Sequence, residues 1–291
     1  MSWKALKDIE TYCSEKGCFF WQAVLDDDMA ERGVTAERSR EKMRMAWQAM
    51  KDASADYNPQ NFSTSGLVGD DGERMKQYVE SGNAILGGFP GEVMVEALKM
   101  SECNACMKRI VAAPTAGACG VLPSVLLPLN RQGVEEEEII NALYTAAGIG
   151  QVIAERAYIA GASGGCQAEI GTAAAMTAGA LVQLKGGSVE MIIHSVAMAL
   201  KNMMGLVCDP VAGLVEVPCV KRNVACAMTA LSCADMALAG ITSRIPADEV
   251  IDAMKEVGDK MDPAFKETAR GGIANTKTGK KIKERILGTN A

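Results

Sequence analysis

Three cysteines stand where a polypeptide can hold inorganic sulfur. Cys166, Cys208 and Cys219 lie in GGCQ, VCDP and VPCV, each at or beside a break between helical stretches. Loops and helix ends carry backbone N–H groups without intrahelical partners, and such donors can hydrogen-bond thiolate and sulfide sulfurs. Two of the three cysteines neighbour a proline, which stiffens the local backbone. The spacing leaves two readings open: ligands of an iron–sulfur cluster, or buried structural thiols. The first has a chemical consequence. A cubane of four irons bound by three thiolates keeps one iron without a protein ligand. That iron can act as a Lewis acid towards a hydroxyl or carboxylate, as a catalytic zinc with an open position does.

Other residues suggest less. Cys103-x-x-Cys106 resembles half of a zinc site, but no second CxxC follows and EALKMSECNACMKRI reads as helix, so buried helix-face thiols are expected. Cys13, Cys18, Cys226 and Cys233 receive the same assignment. The single histidine, His194, is a weak candidate for a catalytic base. It lies in MIIHSVAMAL among apolar residues, where a core histidine is the more natural reading. The glycine-rich segments match neither a phosphate loop nor a dinucleotide fingerprint.

The elements that must position these residues are helical. The 291 residues are 48% hydrophobic but only 4% aromatic, so small and aliphatic side chains must build the core. Helical patterns are expected over Ser2–Lys16, from a Thr35 cap to about Tyr57, over Asp71–Ser81, and from Pro90 towards Arg109. Further helices are expected over Pro123–Asn130, Gly133–Ala160, Ala168–Lys185, Ser188–Met204, Val220–Ala239 and Pro246–Lys260. Convincing strands are scarce. The fold class expected is all-α: one large helical domain over 1–291 with buried central helices rich in small residues, residues 1–57 forming a peripheral helical subregion. The tail after Pro263 reads as a solvated, frayed terminus with a basic cluster that can dock on a partner. Thirty basic against 36 acidic residues, a net charge of −6, argue against nucleic-acid binding. No stretch suits a membrane span or a cleavable leader, and ten cysteines without a secretion signal suggest a reducing cytoplasm.

Four segments, in order, carry a family resemblance. STSGLVGDDGERM (63–75), VAAPTAGACGVLP (111–123), GGCQAEIGTAAAM (164–176) and LVCDPVAGLVEVPCVKRN (206–223) resemble the α-chain of iron–sulfur-dependent bacterial L-serine dehydratases. The resemblance implies a 4Fe–4S cluster and conversion of L-serine to pyruvate and ammonia. The family's cluster cysteines match Cys166, Cys208 and Cys219, separated by 42 and then 11 positions. The family's β-part carries a Ser- and His-containing motif of the SSSHT type, which is absent here, so the resemblance implies a separate β chain. Some fused members place a C-terminal cysteine near the cluster, whereas this chain ends ILGTNA. Ala116 stands where many members have Asn, and VGDDG stands for the commoner TGGDA.

On this reading an iron bound to the serine hydroxyl stabilises the departing charge. Backbone amides around Ser65 and Gly66 and around Thr115 and Gly117 are the expected substrate-carboxylate contacts, with Lys221 and Arg222 nearby. Arg222 can instead serve as a charge beside the anionic cluster. The base that takes the Cα proton stays unassigned and can come from the partner chain. The rival readings are a cluster-dependent lyase acting on cysteine or threonine, and a non-catalytic iron–sulfur sensor or scaffold subunit. Pyridoxal phosphate is disfavoured, because its chemistry needs a Schiff-base lysine and usually a strand-rich scaffold.

Overall fold

The computed structural model describes residues 3–288, and among them it contains thirteen α-helices and no strand. The first three form one edge: α1 (Leu6–Lys16), α2 (Phe20–Arg32) and α3 (Ala36–Ala55). Thr35 caps α3 by accepting the Arg38 amide at 3.3 Å. The helix over α2 is not among the sequence expectations. It has no Ser, Thr, Asp or Asn cap; Gln22 Oε1 instead accepts the Phe19 amide at 2.8 Å. Gly17 and Gly33, both left-handed, stop α1 and α2 and were the available signal.

Next come α4 (Asp71–Glu80), α5 (Gly88–Ala105) and α6 (Val121–Arg131). Two long helices follow: α7 (Glu136–Arg156), with Glu136, Glu137 and Glu138 at the positive end of its dipole, and, after α8 (Gly161–Gly164), α9 (Thr172–Leu184). Helices α10 (Val189–Met203), α11 (Cys219–Leu238), α12 (Ala247–Lys260) and α13 (Lys277–Leu287) complete the chain.

Helix α9 is the axis. Every residue from Thr172 to Val182 is buried, as an all-round apolar helix requires, and α6, α7, α10 and α11 pack around it. One apolar cluster runs from Trp3 to Met254 and includes side chains of α1, α2 and α3. Small residues permit close approach: a Cβ on Gly148 would lie 2.3 Å from Val24 Cγ2, and one on Gly179 would lie 2.2 Å from Ile149 Cδ1. No described helix is long and apolar enough to cross a membrane.

The tail departs from expectation. Residues 277–287 form α13, capped by the Thr276 hydroxyl accepting the Gly279 amide at 3.0 Å, and the helix lies against the loop at Val211–Gly213. Its lysines left few apolar positions to reveal periodicity, so the basic composition masked a capped helix. The final residues, 289–291, lie outside those described.

Candidate active site

The site grows from two helix breaks. Between α8 and α9 the chain passes Cys166 and makes a π turn, Gln167–Gly171. Between α10 and α11 a loop carries Cys208, and Cys219 is the first residue of α11. Gln167, fully buried, ties the two breaks together. Its amide donates to Leu206 O at 2.9 Å. Its side-chain Nε2 donates to Gly164 O and Met254 O at 3.0 and 2.9 Å, while Oε1 accepts the Gly205 amide at 2.8 Å. Cys208 is held on its other side by the segment after α12. Its amide donates to Phe265 O and its carbonyl accepts the Glu267 amide, both at 2.8 Å.

The three thiols are buried and interact electrostatically. Burial pushes Cys166 up to about 11 and Cys219 up to about 12. It pushes Cys208 upward too, with Cys166 as the next cause. All three are therefore protonated as free thiols at neutral pH, and a metal would have to displace the protons. Among the described residues no three or more His, Cys, Asp or Glu side chains cluster tightly enough for a single metal ion. A cubane makes a different demand, because its thiolates bind at separate corners. Three features fit such a group. The donors are soft thiols, and the positive charge of Arg222 beside Cys166 pulls that thiol's proton affinity down against burial. Gly161 also leaves space beside Cys208, since a Cβ there would lie 2.8 Å from Sγ.

Arg222 is fixed in place. It donates to Val207 O at 2.8 Å and to Asp209 Oδ1 at 2.9 Å. Asp209, also buried, accepts the Ile273 amide on its other oxygen at 2.7 Å. Gly272 makes that approach possible, because a Cβ there would sit 2.2 Å from Oδ2.

The other candidate contacts arrive on two loops. Ser63 and Ser65 both donate to the buried Glu216 of the cysteine loop, the first at 3.0 Å. The Gly66 amide donates to Ser63 O at 2.8 Å, and the amides of Thr64 and Ser65 have no acceptor among the described residues. From the second loop, Thr115 donates to Glu169. Asn223 then ties that loop to α11. Its Nδ2 donates to Gly117 O at 2.8 Å and Cys219 O at 3.0 Å, and its Oδ1 accepts the Gly120 amide at 3.0 Å.

The structure thus brings Ser65, Gly66, Thr115, Gly117 and Arg222 onto the segments that carry Cys166, Cys208 and Cys219. It places His194 elsewhere. That ring accepts the Ser243 amide at 3.3 Å, lies 3.5 Å from Glu190, and borders a cavity of about 390 Å³ with Lys7 and Asp248. Lys221 pairs with Asp71 at the start of α4. Of the remaining thiols, Cys226 donates to Ile170 O at 2.7 Å and Cys103 to Ala53 O at 3.5 Å from helix faces, and Cys233 accepts the Asn202 side-chain amide at 3.4 Å. Cys18 and Cys106 instead lie outside helices, in the turn after α1 and just past the end of α5. Sequence reasoning missed Gln167, Glu169, Asp209, Glu216 and Asn223. All five lie inside or beside the quoted motifs, which was the only signal available.

The family model for the serine dehydratase alpha chain matches residues 15–274. The chain is 40% identical to the L-serine dehydratase alpha chain of Peptoniphilus asaccharolyticus, over 97% of each chain. It is 48% identical to the probable L-serine dehydratase alpha chain of Bacillus subtilis, over 78% of this chain and 76% of that one. The L-serine dehydratase TdcG of Escherichia coli is 42% identical over 61% of this chain, a region that makes up only 40% of TdcG.

Proposed function

The chain belongs to the serine dehydratase α-chain family, and from that premise we propose that it converts L-serine to pyruvate and ammonia with a bound 4Fe–4S cluster. The observation that carries the reading is the meeting of two helix breaks, 42 positions apart in sequence between Cys166 and Cys208, around three buried thiols and one fixed guanidinium. Cys166, Cys208 and Cys219 would hold the cluster. When bound, it supplies a Lewis acid, through an iron without a protein ligand, for the oxygen that leaves the serine β-carbon.

The chain's own groups do the rest. Arg222, anchored by Asp209 and Val207 O, keeps a positive charge beside Cys166 and offsets the thiolates. Its donors being committed there, the uncommitted Thr64 and Ser65 amides and the backbone amides of the 115–117 segment are the assigned hydrogen-bond donors to the substrate carboxylate. Glu216 sets the position of the first of these loops, and Asn223 sets the second. Burial of the surrounding side chains lowers the local dielectric and strengthens each of these contacts. Loss of the Cα proton and the hydroxyl leaves aminoacrylate, which tautomerises to an imine and hydrolyses to pyruvate and ammonia.

We assign the second chain of the complex as the family's β chain. Support comes from alignments that span nearly all of an alpha chain but well under half of TdcG. His194 is not assigned as the acceptor of the Cα proton, since it lies away from the cysteine segments, and the partner chain can supply that group. All ten cysteines are free thiols, which supports a reducing cytoplasm as the working compartment. We treat residues 1–291 as one unit, because the apolar cluster joins α1 to α12.

The test is anaerobic reconstitution with iron and sulfide, with the partner chain present, followed by pyruvate assay. Cys208→Ser should lose cluster iron and pyruvate formation together. Full iron content and full activity in that variant would overturn the ligand assignment. Rates on serine, threonine and cysteine fix the substrate.

A further inference from the structure

Glu169 is a carboxylate without a cation. It lies in the π turn three positions after Cys166, and its Oε1 accepts the Thr115 hydroxyl. Burial pushes its proton affinity up, Thr115 pulls it down, and Glu267 pushes it up again; among the described residues no basic group acts on it. The space around it is kept open by glycines. A Cβ on Gly117 would lie 2.7 Å from Oε1, and one on Gly161 would lie 3.6 Å from Oε2. The group is not sealed away. Glu169 and Thr115 are partly exposed, and Ala116 is exposed.

The charge balance here is one-sided. Two carboxylates, Glu169 and Glu267, act on the same ground as Cys208 and Cys219. The nearby guanidinium of Arg222 is engaged by Asp209 and Val207 O, with its charge beside Cys166. A carboxylate removed from bulk water is costly unless a positive group meets it. Among the described residues none meets Glu169, and the small molecule that enters the site carries one.

We propose that Glu169, oriented by Thr115, receives the α-ammonium group of the substrate and thereby makes the site select an amino acid over its amine-free counterpart. This rests on the dehydratase reading above and adds a specificity-determining contact to it. Thr115 holds one oxygen and leaves the other for the ammonium, while Gly117 and Gly161 leave room for it. A site that offers a buried acceptor rejects a ligand lacking the donor, because its own acceptor is then left unpaired.

The experiment uses the reconstituted complex with its partner chain. Steady-state constants for L-serine are measured beside inhibition by 3-hydroxypropanoate, which keeps the carboxylate and β-hydroxyl of serine and lacks the ammonium. Binding of both is also read from the change each causes in the cluster's absorption. Glu169→Gln should raise KM for serine about 10- to 100-fold, the value of a hydrogen bond to a charged group. Iron content and the 3-hydroxypropanoate inhibition constant should stay at wild-type values. Thr115→Val, which keeps the carboxylate but frees it, should shift serine in the same direction by less. Equal weakening of both ligands, a fall in kcat with KM unchanged, or loss of iron would each overturn the assignment. Should the wild-type complex turn over no serine, the dehydratase reading fails separately, and the binding comparison still decides the role of Glu169.

Discussion

At position 161 a single methyl group separates an open site from a blocked one. Gly161 has an ordinary helical backbone, so alanine brings no conformational penalty there, but its Cβ would lie 2.8 Å from Cys208 Sγ. The sulfur must then move, and if Cys208 holds the proposed cluster, such a shift costs ligand geometry before it costs the fold stability. Gly161→Ala is expected to retain wild-type far-UV circular dichroism while its iron affinity on anaerobic reconstitution falls about tenfold or more. Iron loading at wild-type affinity would remove Gly161 from the site. The position of the three cysteines at helix breaks was legible, because each interrupts a helical pattern. Glu169, Asp209 and Glu216 were not. A lone acid in AEIG, CDP or VEVP implies no chemistry until its partner is known. The partners are Thr115, Arg222 with Ile273, and Ser63, the last 153 positions away. Folding alone brings them together.

Among the elements, α3 and α7 show how charge supplements packing at the edge of the molecule. Arg40 and Arg44 of α3 reach Glu137 of α7 at 2.5 and 3.0 Å, and Lys51 reaches Glu136 at 2.8 Å. Hydrogen bonds from Arg40 and then Arg44 hold the Glu137 carboxyl below its ordinary range. A carboxyl depressed in the folded state contributes stability that is complete above its unfolded value, about 4.3, and is lost as pH falls through the folded value. Each pair is screened by solvent, so its share is small and shrinks with salt. The loss of stability between pH 5 and pH 3 in low salt should therefore be smaller in Glu137→Gln than in wild type, measured by urea midpoints. Identical pH profiles would show that the pairs add nothing. Most helices were readable from period and caps, as Thr35 and Ser188 illustrate. The exceptions were α2, whose cap is a glutamine reaching back to an amide, the single turn α8, whose glycines read as a break, and α13, whose lysines hide its periodicity.

For the whole molecule the governing fact is a core with few aromatics. With 4% aromatic residues and 29 glycines, volume is filled by bringing helices close. Composition announced that strategy, but it could not say which glycines stand at crossings, because a crossing belongs to two helices distant in sequence. Gly179 of α9 is one such point, facing Ile149 of α7, with α9 enclosed by α6, α7, α10 and α11. Both cysteine-bearing breaks hang from this frame, one leading into α9 and the other into α11 beside it. Adding a methyl at 179 places Cβ 2.2 Å from Ile149 Cδ1, so Gly179→Ala should cost about 1–3 kcal/mol through overpacking. Ile149→Val removes that same Cδ1 and alone should cost about 0.5–1.5 kcal/mol by leaving a void. Combined, the two changes fill one another's defect, and the double variant should lose less stability than the sum of the single losses. Urea unfolding of the four proteins measures the coupling. Strict additivity would mean that α7 and α9 are not in contact at this crossing, and that the two breaks are held together by something other than the close approach of their helices.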